Sequence, residues 1–175
     1  MSEQFTTFDK TTYEATKQAW SEDAEATLTF PHDVERLLDW ALDHAEHKDG
    51  HEMAYGIFNA DSSVAVGICE VVISRGGTTN TWVKHLRLWL NPKLDAGLFN
   101  NETACVSEAV KLFSASLVGV MRLKLEHQAS CMKVYGRTRD QLKLLHHVAV
   151  TLQSVMTDHD VSVQGRFLVI SDKKR

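Results

Sequence analysis

The chain is poor in the residues that break or staple a small protein. It has 2 prolines and 9 glycines in 175 residues, too few for a Pro- or Gly-rich linker, and no low-complexity segment or repeat is found. Cysteine numbers 3. Cys69, Cys105 and Cys131 are far apart, odd in number and form no C-x-x-C, which points to buried thiols in a reducing compartment rather than a disulfide framework or zinc site. Positive charge is not in excess: 19 Lys and Arg face 23 Asp and Glu, a net charge of −4. That balance argues against nucleic acid as a partner. The first residues, Met1 to Phe8, lack the basic and apolar regions of a signal peptide. The longest apolar run, around Leu117 to Met121, is too short to span a bilayer. The expectation is one cytoplasmic domain over residues 1–175, with no membrane contact.

What is present alternates in type. Hydrophobic residues make up 43% and charged residues 24%, ordinary values for a globular chain. Gln4–Phe8 reads as a short strand. Thr11–Glu22 reads as a helix, with Tyr13, Thr16 and Trp20 on one face. Pro31 opens a second helix through Val34, Leu38, Ala41 and Ala45, which ends before Asp49-Gly50. Met53–Asn59 and Val64–Ser74, joined by the polar turn Ala60–Ser63, read as a hairpin. A second turn, Arg75–Asn80, leads to a third strand, Trp82–Leu90, which ends at Pro92. Asn101 is placed to cap a long helix whose face is Val106, Val110, Phe113, Leu117 and Met121. Met132–Tyr135 then reads as a strand, Arg139–His147 as a helix, Val148–Leu152 as a strand and Val161–Ser171 as the last strand. The order is βααβββαβαββ, a mixed α/β sheet with helices on its faces.

This order resembles the GNAT acyltransferase superfamily over nearly the whole chain. Tyr55-Gly56-Ile57-Phe58 and Val66-Gly67-Ile68-Cys69 resemble the family's central hairpin. His85 to Pro92 resembles the strand before its pyrophosphate loop, and Val134 to Leu145 its late strand and helix. The resemblance implies a mostly antiparallel sheet flanked by helices on both faces. It also implies an acetyl-CoA cofactor, with the pantetheine on main-chain groups of Leu88 and Leu90. The pyrophosphate would fall on the segment after Pro92, through Lys93, Asp95, Gly97, Leu98, Phe99, Asn100 and Asn101. The family pattern there is Q/R-x-x-G-x-G/A, whose amides hold the phosphates. Here Asp95 takes the Q/R place, Leu98 and Asn100 replace the two small residues, and Gly97 sits one position early. Late in the chain, Arg137 and Leu144 occupy the family's asparagine and tyrosine positions, and Tyr135 is out of register. A GNAT-like frame with such gaps is also similar to small GNAT-like proteins of tailed bacteriophages.

Acetyl transfer to an amine needs a base. His85 is the candidate by its titration range. Strand alternation sets it with Arg87 and Trp89, opposite Leu86, Leu88 and Leu90, so a solvated or core-edge histidine is the plainer expectation. Glu70 is a weaker alternative, with a solvent-facing strand residue as its plainer reading. His44, His47 and His51 read as a solvated helix end, and no metal is expected. Arg137, Arg139 and Lys143 with the terminal Lys173-Lys174-Arg175 read as scattered charge. The four tryptophans, Trp20, Trp40, Trp82 and Trp89, read as core. Two functions follow: a divergent acyl-CoA-dependent N-acyltransferase acting on a small-molecule or protein amine, or a catalytically silent GNAT-fold interaction or virion-associated protein with a protein partner or a second copy of itself.

Overall fold

The computed structural model describes residues 3–27, 31–45, 52–76, 80–100 and 102–173. Its elements are β1 (Gln4–Thr7), α1 (Lys10–Ala26), α2 (Pro31–Asp43), β2 (Glu52–Phe58), β3 (Ala65–Gly76), β4 (Asn80–Leu90), α3 (Pro92–Phe99), α4 (Thr103–Glu126), β5 (Cys131–Tyr135), α5 (Arg139–Val155), β6 (His159–Gln164) and β7 (Phe167–Asp172). The fold is mixed α/β, with a mostly antiparallel seven-stranded sheet in the order β1-β2-β3-β4-β5-β7-β6. This is the arrangement the GNAT resemblance implies, with α3 as an addition. By internal contacts the chain divides into two compact units, Met1–Glu70 with Leu88–Val118, and Val71–Arg87 with Gly119–Arg175.

In the first unit, helices cover both faces of the strands. Asp9 caps α1, its side chain accepting from the Thr12 amide at 2.8 Å, and Tyr13, Thr16, Trp20 and Ala24 form the buried stripe of that helix. This stripe packs with Val34, Leu38 and Ala41 of α2 onto Ala54, Phe58, Ala65, Ile68 and Trp89. Thr16 and Trp20, one turn apart, hold both main-chain groups of Ala65. The Ala65 amide donates to Thr16 Oγ1 at 3.0 Å, and Trp20 Nε1 donates to the Ala65 carbonyl at 2.7 Å. On the opposite face, Ile57, Val66, Leu88 and Leu90 pack with Leu94 of α3 and with Cys105, Leu112 and Ala115 of α4.

The second unit holds the last residues of β3, β4 as far as Arg87, and β5, β7 and β6. β4 runs parallel to β5, with Trp82 opposite Cys131, Lys84 opposite Lys133 and His85 opposite Val134. α5 packs on β6 and β7, burying Leu145 and Ala149. Lys124, buried on α4, donates to Asp172 Oδ1 at 2.7 Å, and His159 Nε2 lies 3.3 Å from the same oxygen.

Four sequence expectations are corrected. Val148–Leu152 is not a strand but the last part of α5. Its β-branched residues favour a strand locally, yet the capping box of Thr138 and Gln141 and the burial of Ala149 keep the segment helical. Val161–Ser171 is not one strand but the end of β6 and most of β7, turned by Gly165 at φ +60° between the closing pair Gln164 and Phe167. A glycine with positive φ at the first of two loop residues is what a type II′ hairpin requires. The segment after Pro92 is a helix rather than the pyrophosphate loop that the resemblance implies. Finally, the face of α4 that the spacing predicted as core is only partly buried, with Phe113, Leu117 and Met121 half-buried. Val106 and Val110 are 45% and 57% exposed, while Leu112, Ser116, Val120 and Leu123 are buried. Apolar residues lie on both sides of α4, and Cys105, Leu112 and Ala115 are on the side that packs with Ile57, Val66, Leu88 and Leu90. As a whole, α4 is long and apolar enough to cross a membrane by length and composition, although its uninterrupted apolar runs are short. Asn101, expected as its cap, lies outside the described residues, as do His47, Gly50, His51, Lys174, Arg175 and the middle of the Arg75–Asn80 turn.

Candidate functional site

The end of β4 and the helices that follow it form the region where the sequence placed a cofactor. The Asn91 amide donates to the Val66 carbonyl at 3.3 Å. A side chain at Gly67 would put its Cβ 3.2 Å from the Trp89 carbonyl, so Gly67 permits a close approach of β3 and β4. The Trp89 carbonyl and the Asn91 amide thus both face β3. Since successive residues of a strand turn their main-chain groups to alternate edges, those of Leu88 and Leu90 face the other edge. The last described pair of the parallel ladder with β5 is His85–Val134, and β4 continues through Leu86–Leu90. The Leu88 and Leu90 side chains meanwhile pack into the cluster with Leu94 and Leu112.

Among the described residues, no phosphate loop follows. The Asn91 side chain accepts from the Leu94 amide at 2.8 Å, Pro92 takes a first helical position, and α3 runs to Phe99. A cap, a proline at the start and buried Leu94 outweigh one interior glycine. Helical bonds then use the main chain: the Asp95 amide donates to the Asn91 carbonyl at 3.0 Å and that of Asn100 to the Ala96 carbonyl at 3.1 Å. Lys93 and Asp95 are exposed, Leu98 is half-buried and Phe99 is 88% exposed. Gly97 serves packing, because a Cβ there would lie 2.3 Å from Cys105 Sγ and 3.1 Å from Cys105 Cβ. The only glycine of the segment lets α3 pass close to α4. Asn100 ends α3 as its C-cap.

The start of α4 is already provided with negative charge. The Val106 amide donates to the Glu102 carbonyl at 3.0 Å, and the Glu102 carboxylate lies 3.6 Å from Cys105 Sγ. A carboxylate at a helix N-terminus is itself stabilising and opposes a second anion there. Between the starts of α3 and α4 is a mainly apolar cavity of about 250 Å³, lined by residues including Asn91, Lys93, Leu94, Cys105 and Glu108. It is smaller than the roughly 300–1,000 Å³ of ordinary ligand pockets.

His85 is neither solvated nor at the core edge; it is 3% exposed. Burial is the main cause that lowers its pKa from 6.5 to about 4, so the ring is neutral at pH 7. Glu70 is half-buried beside Cys69. Tyr135 packs against Phe167 with ring centroids 5.1 Å apart and planes tilted by 46°, and the Arg166 guanidinium lies 5.7 Å from its ring. Leu144 is 45% exposed. Arg166 donates to the carbonyls of Gly136 and Arg137, while Lys143 pairs with Asp140 at 2.9 Å. His44 Nδ1 is 2.8 Å from the Trp40 carbonyl. Burial pushes the Cys69 thiol well up and raises those of Cys105 and Cys131, leaving all three protonated at neutral pH. Trp20 is core, whereas Trp40, Trp82 and Trp89 are half-buried. The role of Asn91 as helix cap and of Cys105 as the neighbour of Gly97 was not read from the sequence. Asn-Pro before a buried leucine was the available signal for the first; the second needs the tertiary contact.

No family model and no curated protein matches the chain. Among solved structures it is similar to a GNAT-family acetyltransferase from Staphylococcus aureus Mu50, at 10% identity over 98% of this chain and 100% of that one, with a TM-score of 0.49. It is also similar to an acetyltransferase from Agrobacterium tumefaciens C58, at 8% identity over 98% and 91%, with a TM-score of 0.47. A third similar structure, AtaTR bound with AcCoA, has 15% identity over 78% and 79% and a TM-score of 0.43. Each TM-score is below 0.5, so the fold rests on this chain's own strand order and register.

Proposed function

We propose that residues 1–175 form one GNAT-like domain that acts in the cytoplasm as a divergent acyl-CoA-dependent N-acyltransferase, moving an acetyl group to an amine. The observation that carries this is the C-terminal end of β4. Main-chain groups of Leu88 and Leu90 face the edge away from β3, past the last described ladder pair with β5. Such an edge can bond an extended, amide-bearing arm as an added strand does, and pantetheine is an arm of that kind. The diphosphate end does not fit the segment after Pro92, because α3 uses its amides internally and Glu102 supplies an anion. Among the described residues, Lys93 is the cation placed to meet a phosphate there. Acetyl-CoA, when bound, supplies the activated acyl group. His85, buried and neutral, takes no part in proton transfer, and the amine loses its proton to water. Turnover should therefore climb with pH until the acceptor amine is deprotonated.

The alternative, a silent interaction protein of cellular or virion origin, is favoured by one observation. Glu102 at α4 and the exposed Phe99, Val106 and Val110 suit a protein contact better than a phosphate. Release of free CoA thiol, measured against a panel of small amines and peptide N-termini, separates the two. Amine-dependent release that increases with pH supports the transferase; no release, with no shift in melting temperature on adding acetyl-CoA, supports the interaction protein.

A further inference from the structure

In the second unit, Lys84 and Lys133 are direct partners in the parallel β4–β5 ladder, and Trp82 is partnered with Cys131 two residues earlier on each strand. With a two-residue side-chain period, Trp82, Lys84 and Lys133 project from the same sheet face. Both ammoniums converge on one ring: Lys133 Nζ is 4.3 Å and Lys84 Nζ 5.8 Å from the Trp82 centroid. Like charges facing each other across a ladder repel, and here attraction to a shared indole keeps them together instead of letting them part. Lys17, Lys111, Lys124 and Lys143 each have a carboxylate beside the ammonium. Among the described residues Lys84 and Lys133 have none. The same face opens into a cavity of about 860 Å³, lined by residues including Trp82, Cys131, Lys133, Asp160, Ser171 and Lys173. Of the carboxylates there, Asp172 is engaged by Lys124 and His159. Asp160 lies on β6, with β7 between it and β5, about 10 Å away at the usual strand spacing.

We propose that this face is an anion site for a phosphate monoester. Two lysines with no carboxylate partner match the charge of about −1.5 to −2 that a phosphate monoester carries near neutral pH, and lysine binds phosphate as a point charge. The Trp82 edge and the cavity floor at Cys131 and Val169 receive the apolar body of the ligand. The site stands on the N-terminal half of β4 and does not depend on acetyl-CoA binding.

Nuclear magnetic resonance of the full chain tests it through the Trp82 indole N–H, assigned with Trp82→Phe. Inorganic phosphate and glycerol phosphate are the probes, with acetate and chloride at matched ionic strength as controls. The Trp82 signal is expected to move saturably with both phosphates and not with acetate or chloride. Lys84→Gln and Lys133→Gln should each weaken phosphate binding about tenfold or more. Equal shifts with acetate, or unchanged affinity in the variants, would each overturn the assignment.

Discussion

Taking the pH from 7 to 4 should remove about 3 kcal/mol of stability through His85 alone. The folded pKa is lowered from 6.5 to about 4, chiefly by burial, and each tenfold loss of proton affinity is worth about 1.4 kcal/mol. The sign follows from which state binds the proton. Above 6.5 the ring is neutral folded or unfolded, and its full stabilisation is present. Between 6.5 and 4 only the unfolded chain takes up the proton, so stability falls with pH through that window and levels off below it. Carboxylates titrate over part of the same range, so the quantity to compare is the slope. Urea unfolding at pH 7, 6, 5 and 4 should give a shallower loss in His85→Leu than in wild type, by about 3 kcal/mol over the interval. Parallel slopes would mean that the ring is reached by water in the folded state, and would restore it as a candidate base.

Trp20→Ala should destabilise the chain by about 3–5 kcal/mol, the range for truncating a buried aromatic. Trp20 is 1% exposed and sits among Tyr13, Leu38, Ala65 and Ile68 in the first unit's main cluster. The change also removes the donor to the Ala65 carbonyl, at the first residue of β3. Trp20→Phe isolates that second contribution: most of the packing stays, the carbonyl loses its partner, and about 1–3 kcal/mol is lost. Thr16→Val does the same to the Ala65 amide. Because both bonds grip one residue, the double variant Thr16→Val/Trp20→Phe should cost less than the sum of its parts. Chemical denaturation of the four proteins measures this directly. A Trp20→Ala loss under about 1 kcal/mol, the scale of an ordinary surface substitution, would mean that α1 is not a structural part of the first unit.

The sequence conveyed most of the element order because its strong signals are local. Ala60-Asp61-Ser62-Ser63 separates two strands, and Asp61 does adopt φ +63° there; Asp9 and Thr138 each carry the polar side chain of a helix cap. What it concealed depends on contacts between distant residues. Val148–Leu152 has strand propensity that the packing of Ala149, on a helix started by the Thr138 cap, overrides. Gly165 is one of several glycines until the pairing of Gln164 with Phe167 gives it a turn. α4 has two apolar faces, so periodicity locates the helix without choosing the buried side. His85 was placed on the right strand and given the wrong surroundings, since alternation orders the faces of a strand without saying what covers them. The segment after Pro92 was legible as a departure from a glycine loop. Its helical conformation, and the use of Gly97 against Cys105, were not.

On the proposed function, β4 offers a donor edge for the pantetheine arm while α3 and Glu102 deny the diphosphate a cradle. Calorimetry with acetyl-CoA and with S-acetylpantetheine, which lacks the nucleotide, tests this most directly. Both are expected to bind, with dissociation constants within about a hundredfold, since at most one charge-assisted contact through Lys93 distinguishes them. Asp95→Arg and Glu102→Gln are also expected to tighten acetyl-CoA alone. Failure of both ligands to bind, or acetyl-CoA binding about a thousandfold more tightly than S-acetylpantetheine, would contradict it.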